Sequence, residues 1–320
     1  MKKSDRKKIA IFSTEASLYF AELVAARLGI PTVGRVERKI FGGGERYYRL
    51  SIDDRAELFG RTAIFVGSTN TDEDFHELYR VGCALAGYGT ARRIFLIPFM
   101  GYSTMERAVL PGEIVTAKAN IRILSSIPNT GLGNAFFHFD LHVGGLVHYY
   151  EGDCLRFELY GGDLLVGALE KIRFNDFMFA SADLGRPLWV KYFAERFKVP
   201  DMAFVHKTRR GEETEVDLVI GDVDGKNVII YDDMSRSFKT LIDAANAYLS
   251  KGARSVSAVL SHLAPNSDEV IKKIIASPLK WVVHTNSHPM SRNPLVANMD
   301  KFIGADISGL YANAIRPLLS

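Results

Sequence analysis

The chain has 320 residues, of which 47% are hydrophobic and 24% charged, enough for two domains that each bury a core. Its formal net charge of +3, without a long basic tract, gives no support for duplex nucleic acid as the main partner. No apolar run is long enough to span a membrane, and Cys83 and Cys154 lack the spacing of a zinc site or a disulfide framework. A cytoplasmic enzyme or binding protein is therefore expected.

In the first half, apolar runs that suit buried strands alternate with segments whose apolar residues recur at helical spacing. Strands are predicted at 8–14, 62–69, 92–100 and 135–142. Helices are predicted at 17–29, within 72–89 after a cap at Thr71 or Asp72, and at 116–127.

The second half repeats the pattern and adds a hairpin, 215–227, with a predicted turn at Asp224-Gly225. Strands are predicted at 177–183, 201–207, 227–233, 255–263 and 280–286. Helices are predicted at 161–172, 187–197, 240–251, 267–276 and 307–319.

This alternation indicates an α/β fold with largely parallel sheets that are covered by helices on both faces. The first pattern closes near 151–163, so the domains are predicted to be 1–155 and 156–305. The last helix, in 306–320, has apolar residues on one side and is able to pack on either domain, the first included.

Polar residues follow the apolar runs, where ligands bind in open parallel sheets. A histidine, a Lys-x-Arg pair and acids from both halves favour a shared polar site over a set of solvated loops and helix caps. His138 is predicted to be a partnered interior residue rather than a ligand. The strand-end residues singled out are His142, Asp183, Lys207, Arg209, Asp232 and Asp233.

The stretch DDMSRSFKT (232–240) joins two acids to the start of a helix. Adjacent carboxylates after a strand are able to accept hydrogen bonds from the hydroxyls of a ribose, or to bind Mg²⁺. The helix start near Lys239 would attract a phosphate through its free amides. The alternative is that Ser237 only caps this helix.

Lys207-Thr208-Arg209-Arg210 leaves a strand and enters the polar stretch GEETE. Cations on a loop of this kind are able to close over a polyphosphate and to stabilise the charge that develops in phosphoryl transfer. Taken alone, the motif is most often a solvated turn.

Together these segments resemble the ribose-phosphate pyrophosphokinase family, whose members synthesise phosphoribosyl pyrophosphate. The resemblance covers nearly the whole chain, in order. It is carried by FGGGE (41–45), similar to the family's adenine-binding FSDGE hairpin; by PFMGYSTMER (98–107) and TAKANIRILSS (116–126); and by FDLH (139–142), SADLG (181–185), VHKTR (205–209) and IIYDDM (229–234).

The resemblance implies two phosphoribosyltransferase-type domains with the active site between them, in an enzyme that assembles as a homo-oligomer, a dimer or a hexamer. Such an enzyme transfers the diphosphoryl group of Mg-ATP to the 1-hydroxyl of ribose 5-phosphate and releases AMP. The implied cofactor is Mg²⁺, and the implied partners are ATP and a ribosyl phosphate, with neither nucleic acid nor membrane.

The resemblance also implies a role for single residues. Phe41 would stack on adenine, Glu45 would fix its hairpin, Arg107 and His142 would contact ATP, and His142 and Asp183 would hold magnesium. Lys207 and Arg209 would stabilise the transferring group. Asp232 and Asp233 would bind the ribose hydroxyls, and the 5-phosphate would lie against Ser235, Arg236, Ser237, Phe238, Lys239 and Thr240.

Three departures from the family's pattern fall inside this site. Thr104 stands where the family has an ATP-binding arginine, and Arg49, Arg92 and Arg93 are open as replacements. Gly43 stands where FSDGE has its acid, and VERKI (36–40) is interpreted as an insertion just before that hairpin.

The third departure is in the ribose-phosphate loop, where the family's DDMIDTGGTL is DDMSRSFKTL here. Glycine allows a positive φ and a close approach of the backbone to phosphate, and Phe238 is expected to resist both. Arg236 and Lys239 add charge in return. Two alternatives stay open: a larger acceptor such as ADP-ribose, with Phe238 stacked on its base, and a catalytically inactive regulatory homologue.

Overall fold

The computed structural model describes residues 8–172, 174–183, 187–210 and 213–319, with the backbone alone at 207–210 and 213–217. The chain divides into two compact units. The first runs to Tyr160 and resumes at Ile307, and the second spans Gly161–Asp306.

The first unit is built on a five-stranded sheet of order β1-β4-β5-β6-β7 in which all neighbours run parallel. A separate antiparallel hairpin is formed by β2 and β3. The strands are β1 Ile9–Ser13, β2 Val36–Ile40, β3 Arg46–Leu50, β4 Thr62–Val66, β5 Arg92–Ile97, β6 Asn134–Phe139 and β7 Leu155–Leu159. The helices before Tyr160 are α1 Leu18–Leu28, α2 Asp72–Gly87 and α3 Thr116–Ser125.

The boundary between the units lies at 160/161, whereas the sequence suggested 155/156. Strand β7 is the reason, because its residues pair in parallel with β6 and complete the first sheet. The strand was missed because LRFEL, although its apolar and polar residues alternate, is only five residues long.

Helix α2 shows how local sequence sets an element that the site depends on. The hydroxyl of Thr71 accepts from the amide of Asp74 at 3.1 Å, and the carboxylate of Asp74 accepts from the amide of Thr71 at 3.2 Å. This reciprocal capping box identifies Thr71 rather than Asp72 as the cap, and the helix begins at Asp72. Phe75 and Leu78 recur at helical spacing on the side that packs in the core.

The second unit is built on a seven-stranded sheet of order β10-β9-β8-β11-β12-β13-β14. Its neighbours run parallel except for the β9–β10 pair. The strands are β8 Phe177–Ser181, β9 Met202–Arg210, β10 Glu213–Ile220, β11 Asn227–Ser235, β12 Ser255–Leu263, β13 Leu279–Thr285 and β14 Phe302–Ala305. The helices are α4 Gly162–Leu169, α5 Pro187–Phe197, α6 Lys239–Ser250, α7 Asp268–Ala276 and α8 Pro294–Ala297.

The predicted hairpin at 215–227 is wrong. Strand β10 pairs antiparallel with β9, the strand before it, and β11 lies elsewhere in the sheet, next to β8 and β12. The turn signal at Asp224-Gly225 is real, since Gly225 has φ 66° and its amide bonds to Gly252. The turn leads from β10 to β11, which are not neighbours in the sheet, and a local turn signal does not reveal this order.

The last helix, α9 Ser308–Ile315, packs on the first unit. Tyr311 lies edge-to-face on Phe20 of α1, with ring centroids 5.4 Å apart, and its hydroxyl donates to the carbonyl of Ile97 at 3.1 Å. Both units thus have parallel sheets with apolar cores, and the predicted α/β class is confirmed. Within the described ranges, no helix has the length and apolar character needed to cross a membrane.

His138 is fully buried in β6, and its Nε2 lies 2.9 Å from the hydroxyl of Tyr150. The prediction of a partnered interior histidine is thus confirmed. Its Nδ1 has no hydrogen-bond partner within the described part of the chain. Burial lowers the pKa of His138 to about 3, because the charged imidazolium would lose its hydration there.

Acid should therefore destabilise the fold through His138. Below its ordinary pKa of 6.5 the unfolded chain binds a proton that the folded chain excludes, so stability is full above that pH and falls as the pH drops towards 3. Between pH 7 and pH 5 this one group should cost about 2 kcal/mol.

The measurement is the free energy of unfolding as a function of pH for the wild type, His138→Gln and His76→Gln. His76 is an exposed histidine of the same unit and serves as the matched control. The His138 variant should lose part of the slope and the His76 variant should keep it. An unchanged slope in His138→Gln would contradict the assignment.

Candidate active site

The loop 98–107 is attached to the carboxyl end of β4. The amide of Thr69 donates to the carbonyl of Phe99 at 2.9 Å, and the amide of Gly101 donates to the hydroxyl of Thr69 at 2.9 Å. A Cβ at Gly101 would lie only 2.0 Å from the carbonyl oxygen of Thr69, so this approach needs glycine. The loop therefore leaves the edge of the sheet along a fixed path.

Thr104 and Arg107 lie in this loop. Thr104 is half-buried, whereas the side chain of Arg107 is 76% exposed, with its Nε 3.5 Å from Glu106 Oε1. The backbone beside Arg107 is held in place, because the hydroxyl of Tyr149 donates to the carbonyl of Glu106 at 2.7 Å. An exposed guanidinium on a held backbone suits an anionic ligand.

Phe41 and Glu45 bracket the tip of the β2–β3 hairpin. The amide of Phe41 donates to the carbonyl of Glu45 at 2.8 Å, and Gly43 and Gly44 turn the chain with φ of 85° and 87°. The ring of Phe41 is 50% exposed and rests at 5.5 Å from that of Tyr47. A half-exposed ring supported from below is suited to stacking on a flat ligand.

The segment VERKI forms the first strand of this hairpin. It is strand β2, and Val36–Ile40 pairs residue by residue with Arg46–Leu50. That it is an insertion relative to the family stays a prediction.

Asp140 and His142 follow the end of β6. Asp140 is buried with φ 37°, and His142 is half-buried. The amide of Leu141 between them donates to Glu158 Oε1 at 3.0 Å, and the hydroxyl of Tyr160 donates to Glu158 Oε2 at 3.0 Å. Strand β7 thus places two polar side chains beside the predicted His142 site.

Glu158 and Tyr160 were missed by sequence reasoning, because β7 itself was missed. Burial raises the pKa of the Glu158 carboxyl, against the bonds it accepts from Tyr160 and Leu141. Burial, with the nearby charges of Glu158 and Asp140, raises the pKa of Tyr160 to about 12. The neutral phenol of Tyr160 therefore remains a hydrogen-bond donor throughout the physiological range.

In the second unit, Asp232 and Asp233 lie within β11 rather than on a loop after it. The strand continues to Ser235, because Met234 and Ser235 still pair with β12. Asp233 is only 4% exposed and Asp232 is half-buried; the amide of Asp233 donates to Asp232 Oδ1 at 2.9 Å. The two carboxylates are thus unequal, and Asp232 is the more accessible.

Phe238 overturns two expectations. It has φ 60° and ψ 2° as the N-cap of α6, so it adopts the left-handed backbone that it was expected to resist. Its ring is fully buried in the apolar core of the unit, beside residues such as Leu241. It is therefore unable to stack on the base of a larger acceptor, and that argument for ADP-ribose fails.

The residues around Phe238 remain at the surface. Arg236, Ser237, Lys239 and Thr240 are exposed, and Ser235 is nearly buried at the end of β11. Lys239 Nζ lies 2.6 Å from the carboxylate of Asp243 one turn along α6. The amides of the first helical turn have no partners within the helix, so this segment presents donors and cations together.

A group of buried polar side chains at the ends of β12 and β13 was also missed. His262 Nδ1 lies 2.8 Å from the hydroxyl of Ser287, and His288 Nδ1 accepts from the amide of Met290 at 3.1 Å. Burial lowers the pKa of His288 to about 3, with help from His262 and Arg236. These histidines follow apolar runs in sequence, which is the one signal that would have found them.

Asp183 follows β8, its side chain is exposed, and its amide donates to the hydroxyl of Ser181 at 3.4 Å. The backbones of Lys207 and Arg209 belong to β9, where they pair with Val216 and Thr214 of β10. Their side chains lie outside the described residues. The expected loop is therefore, in its backbone, the end of a strand.

The chain's acids fit a magnesium ion bound largely by its substrate. Mg²⁺ is usually held by one or two carboxylates together with substrate phosphates. In the part of the chain that the structure describes, no three His, Cys, Asp or Glu side chains gather to hold a metal. His142 in the first unit and Asp183 in the second are each a single donor, which suits ions whose coordination is completed by phosphate oxygens.

Comparison with known proteins identifies the family. Residues 9–127 match the model of the N-terminal domain of ribose phosphate pyrophosphokinase, and residues 192–320 match that of the phosphoribosyl synthetase-associated domain. The chain is 31% identical over 309 residues to the ribose-phosphate pyrophosphokinase of Helicobacter hepaticus, covering 96% of this chain and 94% of the relative. The chain belongs to the ribose-phosphate pyrophosphokinase family.

Two further relatives agree with this assignment. The ribose-phosphate pyrophosphokinase of Pasteurella multocida is 30% identical over 317 residues, which cover 96% of this chain and 95% of the relative. The crystal structure of phosphoribosylpyrophosphate synthetase from Mycobacterium smegmatis superposes with a TM-score of 0.82 over 97% of this chain and 98% of that one, at 23% identity. The fold is therefore shared as a whole.

The pattern of this pyrophosphokinase family has an ATP-binding arginine at the position of Thr104. Neither Arg92 nor Arg93 takes its place. Both lie at the amino end of β5, away from the loop that follows its carboxyl end. Arg93 is fully buried and donates to Asn134 Oδ1 at 2.6 Å, and Arg92 donates to the carbonyl of Leu318 at 3.0 Å. Of the three candidates only Arg49, on the hairpin, remains.

Replacing Phe238 with glycine should lower the free energy of unfolding of this pyrophosphokinase. Glycine would relieve the left-handed backbone, which costs a bulky residue about 1–2 kcal/mol. Removing a fully buried ring costs about 3–5 kcal/mol, so burial outweighs the strain. Phe238→Gly should lose about 3 kcal/mol of unfolding free energy in urea.

Lys198→Gly is the matched control. Lys198 has φ 56° but is exposed, so the same substitution removes strain without emptying the core. It should gain up to about 1 kcal/mol. A stabilised Phe238→Gly would show that strain, rather than core packing, dominates at this N-cap.

Proposed function

We propose that the chain transfers the diphosphoryl group of Mg-ATP to the 1-hydroxyl of ribose 5-phosphate, giving phosphoribosyl pyrophosphate and AMP. The observation that carries this is its 31% identity, over nearly the whole length of both chains, to a ribose-phosphate pyrophosphokinase. The sites within each unit support the proposal, because described candidate residues such as His142 and Asp183 follow the carboxyl ends of parallel strands.

On the ATP side, the exposed ring of Phe41 stacks on adenine and Glu45 holds the hairpin tip at the other end of the turn. Arg107 and His142 bind phosphate oxygens. Because Thr104 supplies no guanidinium, the phosphates are held by fewer bidentate contacts than in the family's usual pattern. A lower affinity for ATP follows from this loss.

On the acceptor side, Asp232 and Asp233 bind the ribose hydroxyls. The 5-phosphate lies at the start of α6, against Ser235, Arg236, Ser237, Lys239 and Thr240. Phe238 contributes through its backbone alone: its φ of 60° gives the loop the turn that glycine gives elsewhere in the family. Ribose 5-phosphate is thereby favoured over a larger acceptor.

In the reaction, the oxygen of the anomeric hydroxyl forms a bond to the β-phosphorus while the bond between the α-phosphate's bridging oxygen and that phosphorus breaks. AMP leaves with the bridging oxygen, and the hydroxyl proton passes to solvent. His142 and Asp183 would each hold a magnesium ion, and these ions would neutralise charge on the phosphates when bound. Lys207 and Arg209 stabilise the transferring group, and positioning supplies the rest.

The chain is also proposed to act as a homo-oligomer, a dimer or a hexamer, as is usual in the family. The loop after Arg107 supports this, because Val109, Leu110 and Ile114 are strongly exposed apolar residues.

The direct test is release of AMP from Mg-ATP, measured without acceptor, with ribose 5-phosphate and with ADP-ribose. Release that depends on ribose 5-phosphate, with equal formation of phosphoribosyl pyrophosphate, is the expected result. Release of AMP with ADP-ribose but not with ribose 5-phosphate would identify ADP-ribose as the acceptor. A chain that folds but releases no acceptor-dependent AMP would instead be a non-catalytic regulatory homologue.

Lys207→Ala should lower kcat by about 10²–10³-fold, because one preorganised cation at the transferring group is removed. The midpoint of thermal unfolding should not change. Lys226→Ala, at an ordinary lysine before β11, is the control and should keep the wild-type rate. An unchanged kcat in Lys207→Ala would reject its catalytic role.

A further inference from the structure

One face of helix α2 contacts the β2–β3 hairpin at three successive positions. Glu73, Glu77 and Arg80 follow one another at helical spacing, and each meets a different hairpin side chain. The contacts are Glu73 with Arg46, Glu77 with Arg38, and Arg80 with the ring of Tyr48, whose centroid is 5.9 Å from the guanidinium carbon.

The pair Arg38–Glu77 is the strongest of the three. Arg38 Nη2 lies 2.6 Å from Glu77 Oε1, and Nε lies 3.1 Å from both carboxylate oxygens. The remaining donors of the guanidinium reach the carbonyls of Val36, at 2.8 Å, and Ser13, at 2.7 Å. One side chain therefore joins the hairpin to α2 and to the end of β1.

This pair is sheltered from water. The side chain of Glu77 is 7% exposed and that of Arg38 is 26% exposed. Burial raises the pKa of the Glu77 carboxyl, and the guanidinium of Arg38 opposes that shift. A carboxylate in such a place needs its partner, so the geometry of the pair is enforced.

The hairpin depends on these contacts for its position. Its two strands pair only with each other and do not join the five-stranded sheet. Val36 and Leu50 bury its base in the core, whereas Ile40 and Phe41 at the tip are exposed. An isolated two-stranded hairpin is marginal in water, so its tip is held by what the strands touch.

Helix α2 also contacts the loop 98–107, which carries Arg107. The hydroxyl of Tyr102 donates to Asp72 Oδ1 at 2.7 Å, at the first turn of the helix. Asp72 is the neighbour of Glu73, which pairs with Arg46 on the hairpin. One helix thus anchors both segments that are assigned to ATP.

We propose that the Arg38–Glu77 pair is a positioning device that sets the affinity for ATP through the hairpin, an inference that rests on the proposed function. Neither residue touches the nucleotide. They hold Phe41 and Glu45 in place, so their loss raises KM for ATP and leaves kcat nearly unchanged. A role in stability alone would move neither constant once stability is restored.

Two variants separate positioning from folding. Arg38→Met leaves Glu77 buried without its partner and should lower the unfolding midpoint as well as weaken ATP binding. The double variant Arg38→Met/Glu77→Met removes both charges and keeps similar side-chain volume, so it should regain most of the midpoint. Its KM for ATP should still be raised about tenfold or more, because the directional contact is gone. KM for ribose 5-phosphate should stay near the wild-type value.

Arg122→Met is the matched control. Arg122 forms an ion pair with Glu151 at 2.8 Å in the same unit, at an exposed position away from the hairpin. Its removal should change neither KM for ATP nor the unfolding midpoint. A double variant that regained both the midpoint and the wild-type KM would overturn the proposal.

Hydrogen exchange provides a readout that does not need activity. Amides of the hairpin, residues 38–50, should exchange faster in the double variant than in the wild type or in Arg122→Met. If the wild type released no acceptor-dependent AMP, the proposed function would fail, while faster exchange would still show that the pair holds the hairpin. Wild-type exchange in the double variant would reject the positioning role in either case.

Discussion

Parallel strand alignment is the constraint from which the rest of the structure follows. Parallel neighbours need crossover connections, so helices cover the sheets, and the loops that leave the carboxyl ends of the strands gather at one edge. In the first unit this edge carries the loop 98–107 and the Asp140–His142 turn; in the second it carries Asp183 and the end of β11. The candidate site residues therefore lie at or near the ends of strands, some on loops and some, such as Asp232, still within a strand.

In the segment proposed to bind the 5-phosphate, burial of the Phe238 ring supports a left-handed backbone that usually requires glycine. Glycine reaches a left-handed conformation without cost, whereas Phe238 reaches it because its ring is fixed in the core. The gain from burying a phenyl ring exceeds the strain of one left-handed residue. The loop therefore keeps its turn while its sequence lacks the residue that usually makes it.

The sequence predicts the fold well where its signals are long and apolar. Strands such as β12, found at the predicted residues 255–263, and helices such as α5, at 187–197, are read correctly because core-facing periodicity is strong there. Strand β7 is missed, since its alternation of apolar and polar residues extends over only five exposed or half-buried positions. The pairing of β10 with β9 depends on sheet order, which local turn signals do not contain.

For the candidate site too, sequence reasoning singled out some residues and missed others. Residue types at strand ends identify His142, Asp183 and Asp232, because ligands meet parallel sheets at those ends. Glu158 and Tyr160 escape detection because their strand does, and Phe238 is misjudged because a side chain's burial decides its backbone. Family resemblance supplies roles for residues; it does not supply the contacts that hold them in place.

Helix and strand spacing explains the two ion pairs between α2 and the hairpin. Side chains four residues apart on a helix lie about 6 Å apart, and neighbouring strands lie about 4.8 Å apart. Glu73 and Glu77 on α2 therefore match arginines on two adjacent strands, Arg46 of β3 and Arg38 of β2. An apolar contact of equal area would hold the hairpin against the helix but would allow it to slide. Two charged pairs at this spacing fix its register along α2, and the fork of Arg38 on a buried carboxylate fixes its direction. On this proposal, two charged pairs along the strands position the exposed ring of Phe41 at the hairpin tip.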